Sequence, residues 1–363
     1  MVDPPAFTPP YDRALCAALA RAGAEVELVT TRFPYGPVTP PDGYAVDELF
    51  YRRAARLGPQ SRARRVARIA EHVPGMLRLR AHAANADLVH VQWLAAPAVD
   101  RFLLPPRPRV LTVHDPPASG GRALEVQRAV FDRMDALIAH SEAGATRLRG
   151  LVADPRRVHR VPHGVFEHLR HHPAELPLPP ELAAVEGPVV LCFGLVRPYK
   201  GIDVLLEAFR EFEGVELWIV GMPRMPLDAL EELAARCRAT VRFVPRFITD
   251  PEIPAYFSRA DLVVLPYRAI EQSGVLYTAL AFGRPIVASD VGGFGEVAAE
   301  TGALRVVPPG DAPALARALA ELLADADERD ALAAAAAGAA DGIYSWDAIA
   351  ERTLDVYRTL VPG

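Results

Sequence analysis

Short, uninterrupted apolar runs recur along the whole chain and constrain its fold more than any other feature. Val189–Phe193 reads Val-Val-Leu-Cys-Phe, and Asp261–Leu265 reads Asp-Leu-Val-Val-Leu; neither alternates apolar with polar residues. A strand with one face in water alternates, whereas a strand covered by helices on both faces does not. Short β-branched runs, several of them continuously apolar in this way, predict strands at Glu25–Thr30, Asp87–Gln92, Arg109–Val113, Asp135–Ala139 and Val158–Val161. After a gap they resume at Val189–Phe193, Val215–Val220, Thr240–Val244, Asp261–Leu265, Pro285–Ala288 and Leu304–Val307. Helical stretches fall between them, among them Tyr11–Ala22, Gly201–Phe212, Leu227–Arg238 and Ala312–Leu323. The alternation predicts an α/β protein of two doubly wound, Rossmann-like domains with parallel sheets.

With 363 residues, 51% of them apolar, the chain can supply two cores of ordinary domain size. The gap between the two sets of strands, residues 166–188, holds Pro173, Pro177, Pro179, Pro180 and Pro188 and reads as a stiff linker. The predicted division is therefore 1–165, a linker at 166–188, a second domain at 189–343 and a terminal helix at 344–363. The first strand looks too short, because only Met1-Val2-Asp3 precedes the loop Pro4–Pro10. Either the edge of that sheet is unusual or the given start lies a few codons inside the strand, and the second reading is favoured.

A net charge of −5 argues against nucleic acid as a partner. Three scattered cysteines, Cys16, Cys192 and Cys237, make neither a disulfide framework nor a zinc pattern. No apolar run reaches membrane-spanning length and no signal peptide precedes the fold, so a cytoplasmic protein is expected.

Lys200 is the single lysine among forty basic residues. It lies in Phe193-Gly194-Leu195-Val196-Arg197-Pro198-Tyr199-Lys200-Gly201, between a strand and a helix, with Arg197 three residues away. A lysine kept among so many arginines points to a site that needs a compact ammonium rather than a planar fork. Two further segments should converge on it at the carboxyl ends of the strands. One is Arg246-Phe247-Ile248. The other is Pro266-Tyr267-Arg268-Ala269-Ile270-Glu271-Gln272-Ser273-Gly274-Val275, where Ser273 reads as an N-cap and Gly274 allows close backbone approach. Two cations facing a helix N-terminus suit a diphosphate.

These motifs resemble the family 4 retaining glycosyltransferases, which have the GT-B fold of two Rossmann-like domains facing across a cleft. The resemblance rests on 193–209, on Ala260–Tyr267, on Ala281–Ala288 with Val291-Gly292-Gly293 and Glu296, and on the tail Tyr344–Ala350. It implies an acceptor-side domain at 1–165, a nucleotide-sugar-binding domain at 189–343 and a last helix crossing back to the first domain. The implied reaction moves a sugar from a nucleoside-diphosphate sugar to a small-molecule, glycan or lipid-linked hydroxyl acceptor. No cofactor and no metal are expected, because no Asp-x-Asp follows a strand and fixed cations replace the ion. Arg197 and Lys200 would hold the leaving diphosphate, which itself accepts the acceptor's proton. Gly194, Ser273, Gly274 and Val275 would line the donor site, with Phe247 and Ile248 near the base. A histidine contacting the transferred sugar near its 6-position would be His114. Of the family's two glutamates, Glu271 is present; the second is replaced by Thr278 or Ala279, so Thr278 would offer ribose one weaker hydrogen bond. The alternatives are another GT-B activity (epimerase or phosphorylase) and a non-catalytic nucleotide-sugar-binding subunit.

His140 also follows a strand and is a weaker candidate, while His163, His168, His171 and His172 read as solvated linker residues. Between Arg52 and Arg80 lie nine arginines, and Val66, Ile69 and Val73 recur at helical spacing. Such a helix either packs its apolar face on its own domain or lies on anionic lipid, giving peripheral contact with the inner membrane face through 52–80.

Overall fold

The computed structural model describes the whole chain except residues 35, 37, 59–60, 116–120, 171, 271 and 362–363. It divides into two compact units. The N-terminal unit comprises Met1–His163 with Trp346–Gly363, and the C-terminal unit Gly164–Ser345.

The N-terminal unit is built on seven parallel strands: β1 (Val2–Asp3), β2 (Glu27–Thr30), β3 (Ala45–Asp47), β4 (Val89–Val91), β5 (Arg109–Thr112), β6 (Ala136–Ala139) and β7 (Val158–Arg160). Their order is β3-β2-β1-β4-β5-β6-β7. The C-terminal unit has six: β8 (Val189–Phe193), β9 (Glu216–Val220), β10 (Thr240–Val244), β11 (Leu262–Leu265), β12 (Ile286–Ser289) and β13 (Leu304–Val307), in the order β10-β9-β8-β11-β12-β13. Each sheet reverses direction of growth beside its first strand, between β1 and β4 and between β8 and β11. That is the topological switch point at which α/β sheets hold ligands.

The unbroken apolar runs have the expected cause. Along β8, Val189 and Leu191 enter one core and Val190 and Cys192 the other. Along β6, Ala136 and Ile138 face one side, Leu137 and Ala139 the other. Helices cover both faces, so every position in these strands is dry. Cys192 is one of these buried small side chains, and burial pushes its thiol up to about 11.

Three features differ from the expectation. Segment 166–188 belongs to the C-terminal unit: it forms the short helices Glu167–Arg170 and Pro180–Ala183, and Leu169 and Leu182 are buried in that unit's core. Its prolines open a helix rather than stiffen a spacer, since Pro180 stands in the first helical turn. Strand β3 was not foreseen, because three residues with exposed or half-buried side chains at a sheet edge leave no apolar run. The helix Arg62–His82 buries Arg64, His72, Gly75, Met76 and Leu79, and not the Val66–Ile69–Val73 stripe. Val66 and Ile69 are 66% and 72% exposed. His72 is drawn inward by Asp100 at 2.5 Å and Tyr51 at 2.7 Å. Gly75 completes the contact, since a methyl there would lie 2.9 Å from the Phe50 ring.

Gly201 joins the two strand-end loops of the C-terminal unit. Its φ of +63° is left-handed, and a Cβ would lie 2.0 Å from the Pro266 carbonyl oxygen. Gly201→Ala should therefore cost about 2 kcal/mol or more in urea unfolding. A change under about 0.5 kcal/mol would mean that the two loops can separate freely.

Candidate functional site

In the C-terminal unit, β8 ends at Phe193, Gly194 follows with a φ of +102°, and the chain turns through the single 3-10 turn Pro198–Lys200 before the helix Ile202–Ala208. Beside it, β11 leads through Pro266–Ser273 into the helix Gly274–Ala281. Tyr199 O accepts from the Arg268 amide at 2.7 Å, and the Arg268 guanidinium grips both oxygens of Asp203 at 2.7 and 2.5 Å. The switch point thus carries a loop pair bolted together by backbone and ion pair.

Lys200 is buried, 5% exposed. Its Nζ donates to Phe193 O at 3.1 Å and to Tyr267 Oη at 2.8 Å, which leaves one N–H for a ligand. Burial holds its pKa below the usual lysine value. Gly194 makes room: a Cβ there would stand 2.7 Å from Nζ. Arg197 is exposed, and no acidic partner is recorded for it among the described residues.

Ser273 stands at the N-cap position, but its hydroxyl makes no capping bond and lies 3.4 Å from Tyr267 Oη instead. The amides of Gly274 and Val275 consequently have no recorded acceptor among the described residues. Two free amides beside a buried ammonium form an anion-seeking corner. Thr278 is buried and donates to Gly274 O at 2.9 Å, so its hydrogen is already committed to the helix backbone. Phe247 is exposed, whereas Ile248 packs into the core; Arg246 is paired with Glu252 at 2.6 Å, which pulls that carboxyl down to about 2. Glu271 lies outside the described residues.

The N-terminal unit gathers a second polar cluster at the ends of β4 to β7. His114, after β5, stacks on Trp93 at 4.8 Å and 8° and meets the Tyr11 ring edge-on at 5.0 Å. Its Nε2 lies 3.0 Å from the Gln92 carboxamide, and its Nδ1 lies 3.2 Å from His140 Nε2. His140 is therefore part of the cluster. His163 is not a solvated linker residue; its ring packs on Tyr11, His140 and Trp346 at 4.9, 5.4 and 6.1 Å. Burial also lowers the pKa of His168. His171 lies outside the described residues. Trp93, Gln92, Tyr11 and Tyr267 were missed by sequence reasoning: each is a single residue whose partners come from distant strands. Among the described residues, a set that could hold a metal is Glu27, Asp47 and His82, with ligand atoms within 4.8 Å of one another. It contains no residue of either cluster.

Burial moves His90 down to about 3 and His140 down to about 4, and it also lowers His114, whose neighbouring histidines add to the effect. Unfolded, each titrates near 6.5. Between those values the unfolded chain binds protons that the folded unit refuses, so this contribution is complete above pH 6.5 and lost as pH falls. Relative to His140→Gln, which cannot titrate, wild type should lose urea stability as pH drops from 6.5 toward 4. A difference independent of pH would show that His140 is protonated freely in the fold.

The sequence profile described as Glycosyltransferase Family 4 matches residues 13–167, and that described as Glycosyl transferases group 1 matches 187–325. A D-inositol 3-phosphate glycosyltransferase of Jonesia denitrificans is 30% identical over 94% of this chain and 88% of its own length. A GDP-mannose-dependent alpha-(1-6)-phosphatidylinositol monomannoside mannosyltransferase of Mycobacterium tuberculosis is 30% identical over 78% of this chain and 79% of its own. Among solved structures, sucrose-phosphate synthase from Thermosynechococcus elongatus superposes with a TM-score of 0.72 at 25% identity, covering 96% of this chain and 92% of its own. Anabaena HepE in complex with UDP gives 0.73 at 18%, covering 99% of both. The fold is thus GT-B, and the proteins of similar sequence are named as transferases, which sets aside a binding-only subunit. With profiles over both halves and 30% identity across nearly the whole length, the chain belongs to the family 4, group 1 glycosyltransferases and is a transferase.

Proposed function

We propose that the protein is a retaining, metal-independent glycosyltransferase that moves a sugar from a nucleoside-diphosphate sugar to a hydroxyl acceptor. The observation that carries this reading is the buried Lys200 at the β8–β11 switch point, with one N–H unspent, beside the unbonded amides of Gly274 and Val275. Departure of a nucleoside diphosphate concentrates negative charge on its phosphate oxygens. Fixed donors aimed at that charge lower the barrier without reorganising, and in a dry site they act at reduced dielectric. Lys200, Arg197 and the helix amides would supply these donors, with no divalent ion. The bond from the anomeric carbon to the phosphate oxygen breaks and the acceptor oxygen bonds to that carbon on the same face, its proton passing to the leaving phosphate. His114 is proposed to contact the transferred sugar, Glu271 to lie beside it, and Phe247 to lie near the base.

Relatives named for GDP-mannose, and a neighbour of similar fold holding UDP, support a guanosine or uridine diphosphate donor. Names that specify D-inositol 3-phosphate and a glycolipid support a phosphorylated polyol or a lipid-linked acceptor. Transfer should survive excess EDTA. Lys200→Ala should lower turnover by roughly 10²-fold, the scale of one lost oxyanion donor. Its melting temperature should stay near wild type, because relief of a buried ammonium offsets two lost hydrogen bonds. Full activity of the variant, or loss in EDTA restored by magnesium, would overturn the diphosphate assignment or the metal-free mechanism respectively.

The exposed stripe of the helix Arg62–His82 supports peripheral membrane contact at the cytoplasmic face. Val66, Ile69, Val73 and Leu77 stand open to solvent together with Arg62, Arg65 and Arg78. Arg65, Arg68, Ile69, Val73 and Val99 line a cavity of about 460 Å³ on that side. Apolar side chains framed by guanidinium groups match an anionic bilayer surface in both respects. The protein should sediment with vesicles containing anionic phospholipid at low salt and not with neutral ones, and Ile69→Asp should abolish the difference. Equal recovery from both vesicle types would rule out the charge-dependent contact.

A further inference from the structure

We propose that His140 is a positioning residue that fixes His114 as the neutral tautomer with its proton on Nδ1. The assignment starts from a group with no choice. His140 Nδ1 lies 2.9 Å from Val161 O, and a carbonyl oxygen only accepts, so Nδ1 carries the proton. The His140 ring is fully buried, 4% exposed for the residue, and holds only that proton; its Nε2 is then a lone pair. The atom 3.2 Å from that lone pair is His114 Nδ1, which must donate. His114 Nε2 is left as an acceptor.

The remaining contacts close around this arrangement. Oxygen and nitrogen of a carboxamide are assigned from their hydrogen bonds. The Gln92 nitrogen belongs toward His114 Nε2, at the 3.0 Å position, and its oxygen toward His90 Nε2, at the 3.3 Å position; this gives up a 2.8 Å contact with Met1 Sδ, a weak acceptor, for a bond to an imidazole nitrogen. His90 Nε2 then carries the proton, a single hydrogen directed at Thr112 Oγ1 at 2.7 Å with the Gln92 oxygen as a second, longer acceptor, while its Nδ1 accepts from Tyr357 Oη at 2.6 Å. The opposite assignment, with His114 donating from Nε2 to Gln92, leaves the lone pairs of His114 Nδ1 and His140 Nε2 facing each other at 3.2 Å, unless one of the two rings takes a second proton and so a charge inside a buried cluster of imidazoles. One carbonyl therefore orients the chain of groups from Val161 to Tyr357. The consequence for the reaction, which rests on the glycosyl transfer proposed above, is that His114 has no proton to give from Nε2 and cannot act as a general acid; a substrate hydroxyl reaches the Nε2 lone pair only in place of Gln92.

Long-range proton–nitrogen correlation spectra of the full chain, labelled with ¹⁵N-histidine, test this without any substrate. The expected spectrum shows His114 protonated at Nδ1 and bare at Nε2. A His114 proton on Nε2, or on both nitrogens, would overturn the proposal. In His140→Phe, which keeps a ring but loses both nitrogens, the His114 proton should move to Nε2 and transfer should fall roughly tenfold, the scale of one net hydrogen bond. In His140→Gln the carboxamide can donate to Val161 O and accept from His114, so the Nδ1–H tautomer and most activity should return. A Phe variant that keeps the Nδ1 proton would show that His140 does not set it. Absence of transfer by wild type would count against the glycosyl transfer reading and leave the tautomer result standing.

Discussion

Everything at the candidate donor site depends on how closely two loops of the C-terminal unit approach each other. The contact is backbone on backbone: Gly201 lies where any side chain would collide with Pro266 O. Around it, Arg268 reaches back to Tyr199 O, Pro198 O and Asp203. Because these loops leave neighbouring strands at the reversal of sheet order, the contact forms at the switch point and not elsewhere. It sets the depth of Lys200, the start of the helix Gly274–Ala281 and the place of Tyr267 between them.

Burying an ammonium is unfavourable unless its protons are met. Here two are met, by a carbonyl and a phenol, and among the described residues the third is not. That unequal satisfaction separates a functional lysine from a structural one. A fully bonded ammonium would gain nothing from an arriving phosphate, whereas an incompletely bonded one in a dry slot is stabilised by it. Ser273 follows the same logic, since a hydroxyl turned to Tyr267 leaves the helix amides open.

The N-terminal unit treats its polar groups differently. Its imidazoles are kept neutral by burial, linked to one another and to carbonyl, amide and hydroxyl partners. One buried pair, His72 with Asp100, also decides how the helix Arg62–His82 sits. By drawing one polar residue inward it leaves four large aliphatic side chains outside, so an exposed apolar stripe follows from a hydrogen bond beneath it.

Much of this was legible in the sequence. Continuous apolar runs pointed to parallel strands buried on both faces, because such a run has no solvent side; Val189–Phe193 falls where its run places it and Leu262–Leu265 one residue inside its own. The lone lysine and the Gly-x-x-Arg-Pro-Tyr-Lys-Gly spacing pointed to the loop after β8, where the structure buries Lys200 at the switch point, since that loop is made of consecutive residues. The proline-rich stretch 166–188 misled, because a proline can begin a helix as readily as stiffen a spacer, and only the buried Leu169 and Leu182 distinguish the two. The face presented by the helix Arg62–His82 was equally undecided. Its 3.6-residue period allows two opposite stripes to face inward, and Asp100 and Phe50, distant in sequence, choose between them. The same holds for Tyr267 under Lys200 and for His140 behind His114. Sequence specifies what a local run can do; hydrogen bonds between groups 26 or 67 residues apart exist only once the sheet has brought their strands together.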